Sequence, residues 1–502
     1  MIDSSTGAQK LPEESPHVRS GNRLSDEERE IARGGVTPLT LDPDRLFPGE
    51  PATREIARDL YASVSELPII SPHSHVDPSL LLDNAPFSDP ADLLIVHDHY
   101  VTRLLHAGGV DLDALGAGKS APTDPRRVWQ TLAENWHLFA GTATGYWLSH
   151  QLASLFAIDV EPSTVTADRL YDAISSQLDT AGFLPRALFD RFQIDVLATT
   201  DDPMDDLSAH AALAADPSFR GRIIPTFRPD AYLDPADPTF VEGAHRLAAW
   251  AGEAAGDYAG YLRALEGRRR YFIEHGAVSA DHGVVEPFTI ELDDAAASAL
   301  YQRALAGKLT AEESRVFRGH MLFQMARMSV ADGLVMTVHP GVHRNHSTAT
   351  YERFGADTGH DIPIATGYTR NLHPLLEKYG LERDFHLVLF SVDETAYSRE
   401  IAPLAGFYPS VYIGAPWWFL DAPDSILRFR AAVTETAGFY RGSGFIDDTR
   451  AFLSIPARHD MARRLDAAFL ARLVREGRLS PARAETIIVD LVDVLPRKVF
   501  KL

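Results

Sequence analysis

Eight short runs rich in β-branched and apolar residues recur along this 502-residue chain, and most of them end in polar or charged side chains. They are "LPIISPHSH" (67–75), "IDVLATTDDP" (194–203), "RIIPTFRPD" (222–230), "AVSADHG" (277–283), "GLVMTVHPG" (333–341), "FHLVLFSVDE" (385–394), "VYIGAPWW" (411–418) and "GFIDDTRAF" (444–452). Between them lie amphipathic or alanine-rich stretches such as "VEGAHRLAAWAGEAAGDYAGYLRALEGR" and "SILRFRAAVTETAGFY". Apolar run and helix in alternation imply a parallel sheet with helical crossovers. Eight such units are what an α/β fold of the (β/α)8 TIM-barrel type requires. Most gaps hold about 20 to 50 residues, enough for a helix with its loops, but the gap from His75 to Ile194 is far larger. There "DPRRVWQTLAENWHLFAGTATGYWLSHQLASLF" and "ADRLYDAISSQLDT" read as helices, which places a helical insertion at about 101–190, after the first barrel strand. Residues 1–45 are polar and poor in aromatics, and read as a loosely ordered N-terminal extension to a barrel spanning 46–502.

Composition narrows the chemistry. The chain contains no cysteine, which removes disulfides, thiolate ligands and cysteine nucleophiles, so any metal must be held by histidine and carboxylate. A net charge of −22 argues against nucleic acid or an anionic membrane as partner. An anionic substrate would then need a local basic pocket. No run approaches a membrane span, and the opening "MIDSSTGAQKLPEESPHVRSGNRLSDEERE" lacks the apolar core of a signal peptide, so a cytoplasmic protein is expected.

In a barrel of this kind, chemistry collects at the C-terminal ends of the strands. The polar groups there are His73 and His75, Asp201 and Asp202, Arg228, Asp281 and His282, His339, Asp393, and finally Asp447, Asp448 and Arg450. Solvated loops also end in polar residues, so no single member is decisive. His73 and His75 are one residue apart; if 67–75 is a strand, both project from one face and form half of a metal site.

The motifs that follow make the pattern specific: "HDHYVTRLLHAGGV" (97–110), "TTDDP" (199–203), "PTFRPD" (225–230), "ADHGV" (280–284), "VHPGVHRN" (338–345), "FGADTGHD" (354–361), "APWWF" (415–419) and "DDTRAFLS" (447–454). In this order, with His-x-His ahead of them, they resemble the uronate isomerase (glucuronate isomerase) family of the amidohydrolase superfamily, from about residue 60 to residue 470. The resemblance implies an amidohydrolase-like barrel that interconverts hexuronates: D-glucuronate with D-fructuronate, and D-galacturonate with D-tagaturonate. A proton leaves C2, an enediol forms, and a proton is delivered to C1.

Many members of the superfamily bind two metals through a lysine on strand four, where this chain has Asp281, so a single divalent ion is expected, with zinc as the expected identity. The resemblance implies His73, His75 and Asp448 as its ligands. Asp447 competes, and Asp448 is preferred because the family's Asp-x-Arg pattern falls on Asp448 and Arg450. It further implies Tyr100 as proton shuttle and His99 as a substrate contact, with Asp448 a second catalytic residue and next in line for the proton; a phenol is a poor base at neutral pH unless cations such as Arg228 and the metal lower its pKa. Arg228 and Arg450 suit enediolate and carboxylate oxygens through forked, charge-assisted bonds. Asp281 and His339 take the ends of strands four and five, as partners of sugar hydroxyls or in ring opening, with His339 also open as a metal ligand. Trp417 and Trp418 would wall the pocket, core packing being the alternative; Arg344 and Asn345 belong to the motif without an assigned role. A homo-oligomer is compatible with all of this. The competing readings are a metal-dependent hydrolase or decarboxylase on the same barrel, and a non-catalytic sugar-acid binder.

Overall fold

The computed structural model describes residues 36–121 and 123–502, so the expected N-terminal extension lies outside the described residues up to residue 35. Thr37 and Leu39 already pair with the insertion, through hydrogen bonds from Glu161 N to Thr37 O and from Leu39 N to Asp159 O, both 2.8 Å.

Among the described residues, seven parallel strands form most of a ring: β1 (Ile69–Ser71), β2 (Ile194–Ala198), β3 (Arg222–Ile224), β4 (Ser279–His282), β5 (Val335–Val338), β6 (Leu387–Leu389) and β7 (Val411–Ile413). Neighbours pair in parallel within β1–β3 and within β4–β7: Ile70 opposite Val196, Leu197 opposite Ile223, Asp281 opposite Thr337, Val338 opposite Leu389 and Leu389 opposite Ile413. A bridge at Asp201–Phe227 extends the β2–β3 pairing, and one at Phe227–Ala280 joins the end of β3 to β4. Every strand residue is buried except Asp195 and Arg222, as a sheet enclosed by its own crossovers requires.

The eighth member differs from expectation. Residues 444–452 form no strand; the segment bridges β7 through Gly442 opposite Ile413 and closes the ring by His75 N to Thr449 O at 3.0 Å and Asp448 N to His73 O at 3.3 Å. Asp448 sits at φ 44° and Gly444 at φ 80°, left-handed conformations that interrupt a pleated strand. The first run is also shorter than read: β1 stops at Ser71, before Pro72, which has no N–H to donate to a ladder. His73 and His75 therefore stand in the loop above β1, and strand alternation does not aim them.

Between β1 and β2 the insertion is helical, with Pro125–Glu134, Ala143–Ser154, Ala167–Leu178 and Pro185–Arg191 packed around Trp129, Leu132, Leu148, Ile174 and Leu188. At its near end, helix His99–Ala107 is started by Asp98, whose carboxylate accepts from Tyr100 N at 2.8 Å. Such a cap contributes about 1 kcal/mol and fixes the first turn, which carries His99 and Tyr100. The loop after β5 packs on that turn: Gly359 lies at φ 94°, and a Cβ there would stand 2.5 Å from Arg103 Cβ. Helix Ile455–Arg475 returns along the outside, where Arg463 gathers the carbonyls of Val64, Ser65, Leu67 and Pro68 ahead of β1. No helix among the described residues is long and apolar enough to cross a membrane.

Candidate active site

A cavity of about 590 Å³ opens at the C-terminal end of the ring, and all of His73, His75, His99, Tyr100, Arg228, His339, Trp417, Asp448 and Arg450 line it. Asp281 is fully buried beneath it. At the centre, Asp448 Oδ1 lies 3.2 Å from His73 Nε2 and 2.9 Å from His75 Nε2. The left-handed backbone at Asp448 turns its carboxylate inward, whereas Asp447 points outward and receives His459 Nε2 at 3.1 Å. The competition between the two carboxylates, which the sequence leaves open, is thereby separated in space. Thr200 Oγ1, 2.6 Å from His75 Nδ1, orients the second imidazole. Burial would raise Asp448, but the two imidazoles win and hold it well below the carboxylate range. Burial pushes His75 down to about 4, so it is a neutral donor at neutral pH.

A second constellation shares His73. Its ring stacks on His339 with centroids 4.7 Å apart, and His339 Nδ1 meets Asp281 Oδ1 at 2.6 Å, where Thr337 Oγ1 also donates at 2.6 Å. Pairing Asp281 with Thr337 across β4 and β5 is a direct result of their register. Asp281 Oδ2 faces Arg228 Nη1 at 3.4 Å, and Arg228 Nε is bound to Asp230 Oδ2 at 2.9 Å. Burial works against the Arg228 charge, yet Asp230 and Asp281 outweigh it and keep the guanidinium firmly protonated.

The donor set fits a divalent ion. His73, His75 and Asp448 bring ligand atoms within 4.8 Å of one another, as do His73, Asp281 and His339. His339 Nε2 and Asp281 Oδ2 are buried without a hydrogen-bond partner, and Asp448 Oδ1 has none in acceptable geometry. Buried polar atoms left unpaired are costly, and a cation would satisfy those that face it. Imidazole nitrogen with carboxylate oxygen suits borderline divalent metals.

Tyr100 sits beside His99, ring centroids 4.6 Å apart, and edge-on to Trp147 at 5.4 Å. Its environment differs from the expected one. Burial pushes the phenol above its ordinary value, and the cation opposing that is Arg458, with Cζ 5.1 Å from the ring, rather than Arg228. Tyr100 therefore holds its proton at neutral pH. Arg450 stands half-exposed at the mouth with Nη1 2.9 Å from Asp357. Arg344, which the sequence left without a role, lies in the same cavity, 4.9 Å over the Trp418 ring and 3.5 Å from Asp361. Trp417 is buried edge-on to His339 at 4.7 Å. Asp202 and Asp393, also at strand ends, lie outside the cavity lining. The sequence reading missed Asp357, Asp361 and Arg458 as site partners; the "FGADTGHD" motif was the available signal for the first two.

Asp201, on the β2 end, is buried against Thr199 Oγ1 at 2.7 Å and Thr226 N at 3.0 Å, and burial raises it to about 7 despite those bonds. A carboxyl raised above its unfolded value contributes stability that is complete below that value, about 4, and is lost as pH rises through about 7. Asp201→Asn, which can keep the acceptor for Thr226 N, is expected to flatten the decline of melting temperature between about pH 4 and pH 7. A slope equal to wild type in scanning calorimetry would contradict this.

Comparison with known proteins agrees with the geometry. Residues 51–495 match the sequence profile of the glucuronate isomerase family. A uronate isomerase of Corynebacterium efficiens is 51% identical over 93% of this chain and 100% of its own length. One from Cutibacterium acnes is 53% identical over 92% and 99%. The crystal structure of glucuronate isomerase from Caulobacter crescentus superposes with a TM-score of 0.91 at 48% identity, covering 92% of this chain and 97% of that one. The open cavity ringed by these histidines, carboxylates and arginines is thus found in a chain that belongs to the glucuronate isomerase family.

Proposed function

We propose that this chain interconverts the aldose and ketose forms of hexuronates, D-glucuronate with D-fructuronate and D-galacturonate with D-tagaturonate, by moving a proton between C2 and C1. The observation that carries the reading is the gathering of three arginines at one cavity of a chain with net charge −22: Arg228, Arg344 and Arg450 all line it, each held in place by an aspartate beside it. A sugar acid supplies the matching permanent anion, and its enediolate a transient one. A hydrolase has no such need of several arginines.

In this reading Arg450, at the mouth, grips the substrate carboxylate, and Arg228, deep beside Asp281, faces the oxygen that gains charge as C2 loses its proton. In the aldose-to-ketose direction the Asp448 carboxylate takes the proton from C2, while Tyr100, protonated at rest, delivers its phenol proton to C1 from the first turn of its helix and recovers one from Asp448; His99 holds a hydroxyl. Asp281 and His339 share a proton that serves ring opening, while Trp417 gives an apolar wall to the C–H face of the sugar. A divalent ion, zinc in this reading, held by His73, His75 and Asp448, would supply charge neutralisation for sugar oxygens.

Incubation with each hexuronate in heavy water, followed by proton NMR, tests the proposal. Ketose formation with exchange at C2 and no carbon dioxide release is expected; product of hydrolysis or decarboxylation would replace it with the competing chemistry. The arginines should separate kinetically. Arg228→Met is expected mainly to lower kcat, since its contact strengthens in the transition state, and Arg450→Met mainly to raise KM. Reversed effects would exchange their roles, and wild-type constants for both would remove them from the site.

A further inference from the structure

Behind Tyr100, on the side away from the cavity, lies a fully buried ion pair. Arg458 Nη1 donates to Asp421 Oδ2 at 2.7 Å, and each side chain is 1% exposed. Arg458 also donates from Nε to Ser454 Oγ at 3.2 Å and from Nη1 to Asp447 O at 3.4 Å. Its Cζ lies 3.6 Å from the centre of the Trp147 ring and 5.1 Å from that of Tyr100. One guanidinium thus touches the helix bearing Tyr100, the turn that follows Trp417 and Trp418, the insertion helix bearing Trp147, and the segment that presents Asp448.

Packing alone does not call for a charge here. Removing two ions from water costs more than their pairing usually returns, and apolar side chains of the same volume commonly serve a core as well or better. The pair is also incompletely satisfied: Arg458 Nη2 and Asp421 Oδ1 have no hydrogen-bond partner. Burial pushes the Asp421 carboxyl up from its ordinary range, with Arg458 opposing. The other charged or titratable groups around Tyr100 are Asp98 at the cap of its own helix, His99 and Arg103 on that helix, and Asp448 across the cavity. Among all of these, Arg458 is the cation that most opposes burial of the phenol, and the quadrupole of both aromatic rings attracts it.

We infer that Arg458 is a positioning residue for the isomerisation, clamping the Tyr100 ring against Trp147 and placing a fixed positive charge behind the phenol that carries the proton. The inference rests on Tyr100 as the proton carrier. A Lys at the position keeps a charge and loses the planar fork that reaches Asp421, Ser454 and Asp447 together. A residue that acts through Tyr100 loses its influence once the hydroxyl is gone, whereas a merely structural residue does not.

The test is a double-mutant cycle on the full chain with D-glucuronate, using Arg458→Lys, Tyr100→Phe and the pair, with kcat, KM, bound metal and melting temperature measured for each. Arg458→Lys is expected to lower kcat about tenfold with KM and metal content near wild type, and to lower it less than about twofold in the Tyr100→Phe background. Multiplicative losses in the double variant overturn the inference, as does wild-type kcat in Arg458→Lys or a loss confined to KM. A Tyr100→Phe variant with full turnover overturns the reading beneath it instead. Should Arg458→Lys fail to fold, Asp421→Asn, equal in size, enters the same cycle with the same expectations.

Discussion

Tyr100→Phe is expected to lose roughly 10²-fold or more in turnover, the usual consequence of removing a general acid or base. The substitution deletes one oxygen and keeps the ring. Contacts of that ring with Trp147, His99 and the Arg458 guanidinium all survive it. Melting temperature should therefore move by little, and KM should stay close to wild type because the hydroxyl acts in proton transfer. Since burial raises the phenol above its ordinary value, it enters the cycle protonated, and solvent-derived deuterium should reach C1 or C2 through it. Near-normal turnover in steady-state assays would leave the whole proton transfer to Asp448. A large drop in melting temperature would instead mark Tyr100 as a packing residue.

Replacing His73 and His75 together by alanine is expected to reduce bound metal from about one ion per chain to a trace, measured by elemental analysis on purified protein. The change leaves the buried Asp448 carboxylate without either imidazole, so a loss of stability accompanies it. Asp448→Asn should release metal as well, with less disturbance, because it removes the charge and keeps the shape. His75→Ala alone distinguishes the two constellations: it dismantles the set with Asp448 and leaves His73, Asp281 and His339 intact. Full metal content in a folded His75→Ala variant would assign the ion to that second set, and full content in the double variant would remove both.

The ring was legible because enclosed parallel strands must be apolar on both faces, which marks them as short hydrophobic runs however the loops between them vary. Seven runs coincide with strands. The eighth failed for a local reason, since nothing in "GFIDDTRAF" announces that Asp448 takes a left-handed backbone; only its two histidine partners account for that conformation. The convergence of His73 and His75 was anticipated for the wrong cause, as Pro72 ends the strand before them. Polar partners from distant parts of the chain were harder. Arg228 could be placed in the cavity from its motif, but its enclosure by Asp230 and Asp281 and its replacement by Arg458 beside Tyr100 depend on how three elements pack. For Arg458 a faint signal existed: "IPARHDMARRLDAAFLARL" is a helix in which arginines interrupt a face otherwise apolar and fully buried.

The way the ring closes bears on how the protein is made. His73 and Asp448 come from opposite ends of the domain, and the junction that joins them, Ser74 with Thr449, spans 375 positions in the chain. Contacts of such separation form late, because the loop they close is ordered before they return any stability. During synthesis, the two imidazoles wait without the Asp448 carboxylate until the segment after β7 has been made. Metal retained by a chain stopped just before residue 448 thus belongs to His73, Asp281 and His339, and what the longer chain gains beyond it measures completed closure.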